Sequence, residues 1–253
     1  MDIQVNKELC IGCGLCSRDC LARCLQVQDG VAVYNATGCI DCGHCYAVCP
    51  TGAISMPEYD TASLPAPGSM TDIDPQTLLL GMKSRRTIRH FKDKPVEQEK
   101  IDMILEAGRY SPTGTNAQKN NFTILGGRQD AIEAACVNFF RSGEASKYVG
   151  YVDNRKVDDH FMFKGAPLVI VVSAKYNIDA ALSSAYMELM AESLGLGVLY
   201  SGFFSVCAQF SPEVAELLEL KPRYKAFTCL VIGYPDVKYQ RLVPRKAPQV
   251  KVL

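Results

Sequence analysis

The chain has 253 residues, 12 cysteines, no tryptophan and a formal net charge of zero. That length leaves room for more than one domain, and balanced charge leaves no electrostatic footprint for nucleic acid. No long apolar run reaches the roughly 18 residues that a membrane-spanning helix needs, and the polar start Met1-Asp2-Ile3-Gln4 is not that of a secretory leader.

Eight of the 12 cysteines fall in two copies of Cys-x2-Cys-x2-Cys-x3-Cys. The first is Cys10, Cys13, Cys16 and Cys20; the second is Cys39, Cys42, Cys45 and Cys49, followed by Pro50. A cubane iron–sulfur cluster needs four thiolates. Three closely spaced cysteines wrap one corner region, and the fourth cysteine of each run ligates the other cluster. The spacing therefore implies one 4Fe-4S cluster on Cys10, Cys13, Cys16 and Cys49, and a second on Cys39, Cys42, Cys45 and Cys20. Structural zinc favours paired Cys-x2-Cys units with a longer spacer, and disulfide frameworks belong to small secreted domains. Oxygen-labile clusters and reduced thiols point to the cytoplasm.

The two copies form an internal repeat offset by 29 residues. Cys24 falls where the second copy has Ala53, which marks it as a small buried residue and not a ligand. Gly12, Gly14 and Gly43 suit a backbone that bends tightly and turns N–H groups toward sulfur. His44 reads as a partly exposed surface histidine. This portion resembles the bacterial two-cluster ferredoxins over residues 1–56.

Residues 57–73 are rich in proline and small polar residues and read as an extended linker. Asp74-Pro75 then opens a helix, Asp74 as cap, running to Ser84. The strip Ser84-Arg85-Arg86-Thr87-Ile88-Arg89-His90-Phe91 follows. In an extended segment Arg85, Thr87 and Arg89 share one face, and arginine suits phosphate, although a solvated basic patch would read the same way. A helix is expected over 95–109, then a loop, Tyr110 to Gln118, dense in hydroxyls and amides, then a strand over 121–125.

The strip and the loop together resemble the FMN-binding signature of the nitroreductase family. Further segments agree in order: the strand-like Ala166–Val172, an apolar helix over Ala180–Leu194, the loop-like Gly195–Phe203, the strand-like Leu230–Pro235, and Pro244-Arg245-Lys246. The resemblance covers residues 74–253. It implies an α+β chain: a small two-cluster ferredoxin domain, then a three-layer domain with a mainly antiparallel central sheet flanked by helices. It also implies roles. Arg85, Arg86 and Thr87 would hold the FMN phosphate and ribityl chain, and Arg89 would sit near N1 and O2 of the ring. Pro112, Thr113, Gly114, Asn116 and Gln118 would meet the pyrimidine edge or ribityl hydroxyls. Tyr200, Ser201 and Gly202 would pass near N5, and Arg245 or Lys246 would complete the phosphate site. The chain departs from the family at Lys119-Asn120, where Pro-Trp is frequent, and at Ser201, where many members are acidic. The family's homodimers place FMN at or near the interface, which gives the Ala180–Leu194 helix an interface role.

Residues 136–164 mix aromatics, charges and glycines. The family resemblance implies a cover over the flavin face; read alone, the segment is equally a surface excursion with a few core anchors. His160 reads as a structural or surface histidine. Cys136, Cys207 and Cys229 read as buried, inert thiols. No catalytic side chain is assigned. The functional expectation is an iron–sulfur flavoprotein oxidoreductase that passes electrons between two 4Fe-4S clusters and FMN to reduce a small nitroaromatic or quinone-like acceptor. Its electron donor would be NAD(P)H or a ferredoxin-like protein. The rival is an electron carrier between redox proteins with no organic substrate of its own.

Overall fold

The computed structural model describes residues 3–65, 72–150 and 156–253. Met1, Asp2, Tyr151 and the middle of the linker lie outside them. The chain divides into two compact units, residues 1–72 with Gly114–Ala117, and residues 73–113 with 118–253.

The first unit is built twice over. Strand β1 (Gln4–Val5) and helix α1 (Leu15–Asp19) are followed by the hairpin β2 (Leu25–Gln28) and β3 (Val31–Tyr34), then helix α2 (His44–Val48) and strand β4 (Ile54–Ser55). β1 pairs antiparallel with β4, Val5 opposite Ile54. β2 pairs antiparallel with β3, Leu25 opposite Tyr34. These pairs match under the 29-residue offset, as do the two helices. Each helix is entered from a left-handed glycine, Gly14 at φ 73° and Gly43 at φ 72°. A side chain there would meet the steric penalty that glycine escapes. The hydrophobic core is small, centred on Ile3, Leu25, Ala32, Ile54 and Met56.

The second unit holds helices α3 (Pro75–Ser84) and α4 (Gln98–Arg109), strand β5 (Asn121–Ile124), helix α5 (Gln129–Arg141), strand β6 (Leu168–Ala174) and helix α6 (Asn177–Ser193). Strand β7 (Gly197–Tyr200), helices α7 (Gly202–Phe210) and α8 (Pro212–Leu217), and strand β8 (Lys225–Gly233) complete it. The sheet order is β5-β6-β8-β7, antiparallel throughout. All of β6 is buried, because helices cover both faces and alternation then buries every side chain. Val169 and Val171 join the core under α5 and α7, with Phe140, Phe163 and Phe204. Leu168, Ile170 and Val172 join the core under α4 and α6, with Ile104 and Met187. This is the sheet flanked by helices that the family resemblance implies.

Several boundaries and faces differ from expectation. The Asp74 cap holds, its carboxylate accepting from Thr77 N–H at 2.7 Å. The next helix starts at Gln98 and not at Pro95, because Glu97 is extended and takes the cap position. Within 195–203, residues 197–200 are the edge strand β7 and not loop, with Val198 opposite Ile232. α6 buries apolar Ala180, Met187 and Ala191 in the core, and three polar residues, Ser183, Ser184 and Glu188, are buried beside them, whereas Ala185 is exposed. Each has a partner. Ser183 Oγ lies 2.5 Å from the buried Ser111 Oγ, and Ser184 Oγ donates to Ala180 O at 2.8 Å. Within 136–164, residues 136–141 end α5, and Phe140 and Phe163 are core anchors. Cys136, Cys207 and Cys229 are all buried in one core with them.

One glycine of the first unit has no room for change. A Cβ on Gly12, at φ +62°, would lie 2.4 Å from the Gly30 carbonyl oxygen. Gly12→Ala is expected to displace the first cysteine loop. Iron retention measured on anaerobically prepared protein should fall, while the unfolding transition of the second unit should not move.

Candidate functional site

Two cavities lie in the first unit. One is lined by Cys10, Cys13, Cys16 and Cys49 with Gly12, Val27, Ala32, Thr51 and Ala53. The other is lined by Cys20, Cys39, Cys42 and Cys45 with Cys24, Tyr34, Asp41 and His44. The structure thus brings together the two crossed sets of four that the spacing implies. Among the described residues no group of three or more His, Cys, Asp or Glu is arranged to hold a single metal ion. Four thiols ringing a larger space match the donor chemistry of a cubane.

The backbone turns toward sulfur in the same way in both copies. Cys24 N–H donates to Cys20 Sγ at 3.2 Å, and Ala53 N–H donates to Cys49 Sγ at 3.2 Å. Ala32 N–H donates to Cys10 Sγ at 3.4 Å. Such N–H···S bonds stabilise negative charge on a ligand sulfur. The Cys24 thiol is buried and faces the carbonyl oxygens of Thr37 (3.5 Å) and Ala22 (3.7 Å). Burial pushes the Cys45 thiol up to about 11. Burial raises Cys49 too, but the Thr51 hydroxyl and backbone N–H groups outweigh it and leave that thiol below its ordinary value. His44 is exposed, its Nδ1 3.1 Å from Asp19.

In the second unit the basic strip runs beside β7. Thr87 bridges Val198 in parallel, and Ile88 N–H donates to Val198 O at 3.1 Å. Ile88 is buried, and Thr87 lies half-buried beside it. Arg85 Nη1 donates to Glu188 Oε1 at 2.8 Å. Arg86 Nη2 donates to Lys83 O at 3.1 Å, while its Nε is buried without a partner. Arg89 is exposed. Tyr200, at the end of β7, is half-buried, and burial followed by the Glu188 charge raises its phenol. Ser201 is buried and Gly202 opens α7.

The hydroxyl- and amide-rich loop is conformationally unusual. Thr115, Asn116 and Gln118 have φ of 51°, 52° and 48°. A β-branched residue in that region is strained. Pro112 is exposed, and Thr113 Oγ1 accepts from Gln118 N–H at 2.9 Å. Gly114–Ala117 belong with the first unit, where the Asn116 amide donates to Asp41 O at 2.8 Å. Arg245 and Lys246 are exposed in the irregular C-terminal segment, and neither makes an ion pair among the described residues. His160 is exposed, 3.6 Å from the buried Glu133.

Two buried carboxylates near the basic strip escape a sequence reading. Glu188 and Glu192 stand one turn apart on α6, and Glu188 faces Arg85. Burial raises Glu188 despite Arg85. Burial and then the Glu188 charge bring Glu192 up to about 7, with its Oε1 unpartnered. The i, i+4 spacing next to a basic strip was the available signal, hidden inside an apolar run. Arg86 Nε and Glu192 Oε1 are buried without partners, a donor that a phosphate can use and an acceptor that a hydroxyl can use, and FMN carries both groups.

Residues 82–234 match the model of the Nitroreductase family, and residues 9–54 match that of a 4Fe-4S dicluster domain. An FMN reductase [NAD(P)H] of Bacillus subtilis is 29% identical over 62% of this chain and 66% of its own length, so the chain spans just under two thirds of that relative. An uncharacterized ferredoxin of Methanocaldococcus jannaschii is 34% identical over 59 residues, 22% of this chain and 95% of its own length. A nitroreductase with bound FMN from Bacteroides fragilis superposes with a TM-score of 0.57 at 21% identity, over 70% of this chain and 98% of that one. The chain belongs to the Nitroreductase family. It carries a 4Fe-4S dicluster domain ahead of the family domain.

Two outcomes follow. Cys20→Ser should lower the iron content of anaerobically purified protein, and Cys24→Ser should leave it unchanged; equal losses would contradict the crossed assignment. Glu192, raised from 4.5 to about 7 in the fold, costs stability as it ionises. Stability should therefore fall as pH rises through that window, and Glu192→Gln should flatten the dependence of the second unit's denaturation midpoint between pH 5 and pH 8.

Proposed function

We propose that the chain is an iron–sulfur flavoprotein oxidoreductase that delivers electrons to a small organic acceptor, nitroaromatic or quinone-like, with the first unit acting as a wire for single electrons. The observation that carries this reading is the pair of cysteine-ringed cavities in a chain whose second unit belongs to an FMN-using family. FMN, where bound, exchanges electrons singly or in pairs, and so joins one-electron carriers to a two-electron acceptor. The residues of this chain supply the setting. Arg85 and Arg86 offer charge to a phosphate, with Thr87 beside them for the ribityl chain. Arg89 offers charge to the ring's N1 and O2 side. Asn116 and Gln118 are further candidates for the ring or ribityl chain, and Arg245 or Lys246 for the phosphate.

A second copy of the chain is the proposed cover for the apolar surface of α3 and α4. Leu78, Leu79, Leu80, Met82, Met103 and Tyr110 are all exposed, and such a surface is unusual unless a partner buries it. Among the described residues no helix is long and apolar enough to cross a membrane.

Rapid mixing under anaerobic conditions tests the wire. Whole chain and a Cys13→Ser variant are each mixed with a reduced ferredoxin-like protein or with NAD(P)H, and flavin reduction is followed by absorbance. The variant should lose reduction by the protein donor and keep any reduction by nicotinamide. Equal rates with the protein donor would sink the wire reading, and turnover with protein partners alone, none with nitroaromatics or quinones, would favour a carrier. In parallel, Arg85→Ala should weaken FMN roughly ten- to a hundredfold, the value of a charge-assisted contact of about 1.5–3 kcal/mol. Riboflavin, which lacks the phosphate, should bind both proteins alike.

A further inference from the structure

Charge around α6 is unevenly matched. Glu188 receives Arg85 Nη1 at 2.8 Å and a further bond from the Tyr200 hydroxyl of β7. Glu192, one turn on, has no such support, and its Oε1 is buried without a partner. Among the described residues no cation pairs with Glu192. The other elements packed on α6 do not change this. On α4, Lys100 donates to Leu194 O at 3.1 Å and to the Tyr234 hydroxyl at 2.8 Å. Asp102 there accepts from the Gln98 amide, and Glu106 pairs with Arg109. Lys83 of α3 is exposed, β6 carries no ionisable side chain, and Lys225 of β8 is exposed. Cys229 of β8 lies in the core under α5 and α7. Arg86 turns its Nη2 to Lys83 O. Arg85 is thus the one guanidinium that Glu188 and Glu192 share, and it is bonded to the first.

A phosphate arriving at Arg85 would upset that arrangement. The group carries about −1.5 to −2 charges near neutral pH. It draws on the same guanidinium and repels both carboxylates through a partly buried, weakly screened environment. Glu188 is buried, so it cannot leave Arg85 as a bare anion without a desolvation cost. Neutralising one carboxylate removes the conflict. We propose that FMN enters this site together with one proton, which the Glu188–Glu192 pair takes up. This rests on the reading of Arg85 as a phosphate contact. The proton comes from solvent and lands on a carboxylate oxygen; no other bond forms or breaks. Two carboxylates one turn apart titrate as a unit, so the proton belongs to the pair. Burial and the Glu188 charge already bring Glu192 up to about 7, where a further push acts within the neutral range. The sign follows: the bound state holds more protons, so FMN affinity falls as pH rises above that value, by about tenfold per pH unit for one proton.

The test is calorimetric titration of the whole chain, freed of flavin, in buffers of low and high ionisation enthalpy. The difference in heat counts the protons exchanged. At about pH 7.5 the free phosphate is already a dianion, since its second pKa is about 6, so any uptake is the protein's. FMN should bind with uptake approaching one proton, and riboflavin, which lacks the phosphate, with none. Glu192→Gln keeps the side chain's shape and should bind FMN without uptake. Its FMN affinity should stay level between about pH 7 and pH 8.5, where that of the wild type falls. Glu188→Gln keeps an acceptor for Arg85 and should lower the uptake as well, which covers the case of a Glu192 variant that fails to fold. FMN binding with no uptake, equal uptake with riboflavin, or uptake that either neutral variant leaves intact would overturn the proposal while the flavin reading stood. A wild-type chain that binds no FMN would remove the flavin reading itself, and the proposal with it.

Discussion

Each run of cysteines lines its own cavity with three thiols and lends its fourth to the other. Cys20 and Cys49 are the crossing points, and the rest of the first unit is arranged around that exchange. The two helices must begin at left-handed glycines to present three sulfurs on one side. Each must then release an extended cysteine at its end, which Cys20 and Cys49 are, with ψ of 104° and 114°. The strand pairs β1 with β4 and β2 with β3 tie one end of each copy to the other. A core of about half a dozen buried side chains is little for some 60 residues. Iron–sulfur bonds would supply the cross-links that the core does not.

The second unit meets a different constraint. Its sheet is buried on both faces, so polar groups can enter only where they find partners. α6 is the place. Ser183, Ser184 and Glu188 are buried on it, and each is matched by a hydroxyl, a carbonyl or the Arg85 guanidinium. Glu188 thereby fixes the direction of the first arginine of the basic strip, and β7 fixes the strip's path through Thr87 and Ile88.

Much of this could be read from residue order. The doubled cysteine spacing implied the crossed sets, the 29-residue offset demoted Cys24, and Asp74-Pro75 marked the start of α3. What could not be read had local causes. Pro95 invited a helix start, but the extended Glu97 took the cap. Val198-Leu199-Tyr200 is too short an apolar run to distinguish strand from loop by periodicity. The burial of Ser183 and Glu188 depends on Ser111 and Arg85, which are distant in sequence, and an apolar-residue count along α6 has no access to them. The hydroxyls and amides from Thr113 to Gln118 were legible, but the left-handed backbone at Thr115, Asn116 and Gln118 was not, since none of these is the glycine that usually marks such a conformation.

The exchange of Cys20 and Cys49 also bears on how such a unit can be damaged and repaired. In a chain of independent modules, oxidation of one metal centre leaves its neighbour whole. Here each centre would keep one ligand on the loop that shapes the other. Loss of iron from one side would free a cysteine whose backbone still frames the opposite cavity. Filling and emptying would then be linked events, and a half-filled unit would be a short-lived species between apo and fully loaded protein. A duplication that began as two equal copies would in this way have become indivisible, since neither copy alone carries four ligands for the space it encloses.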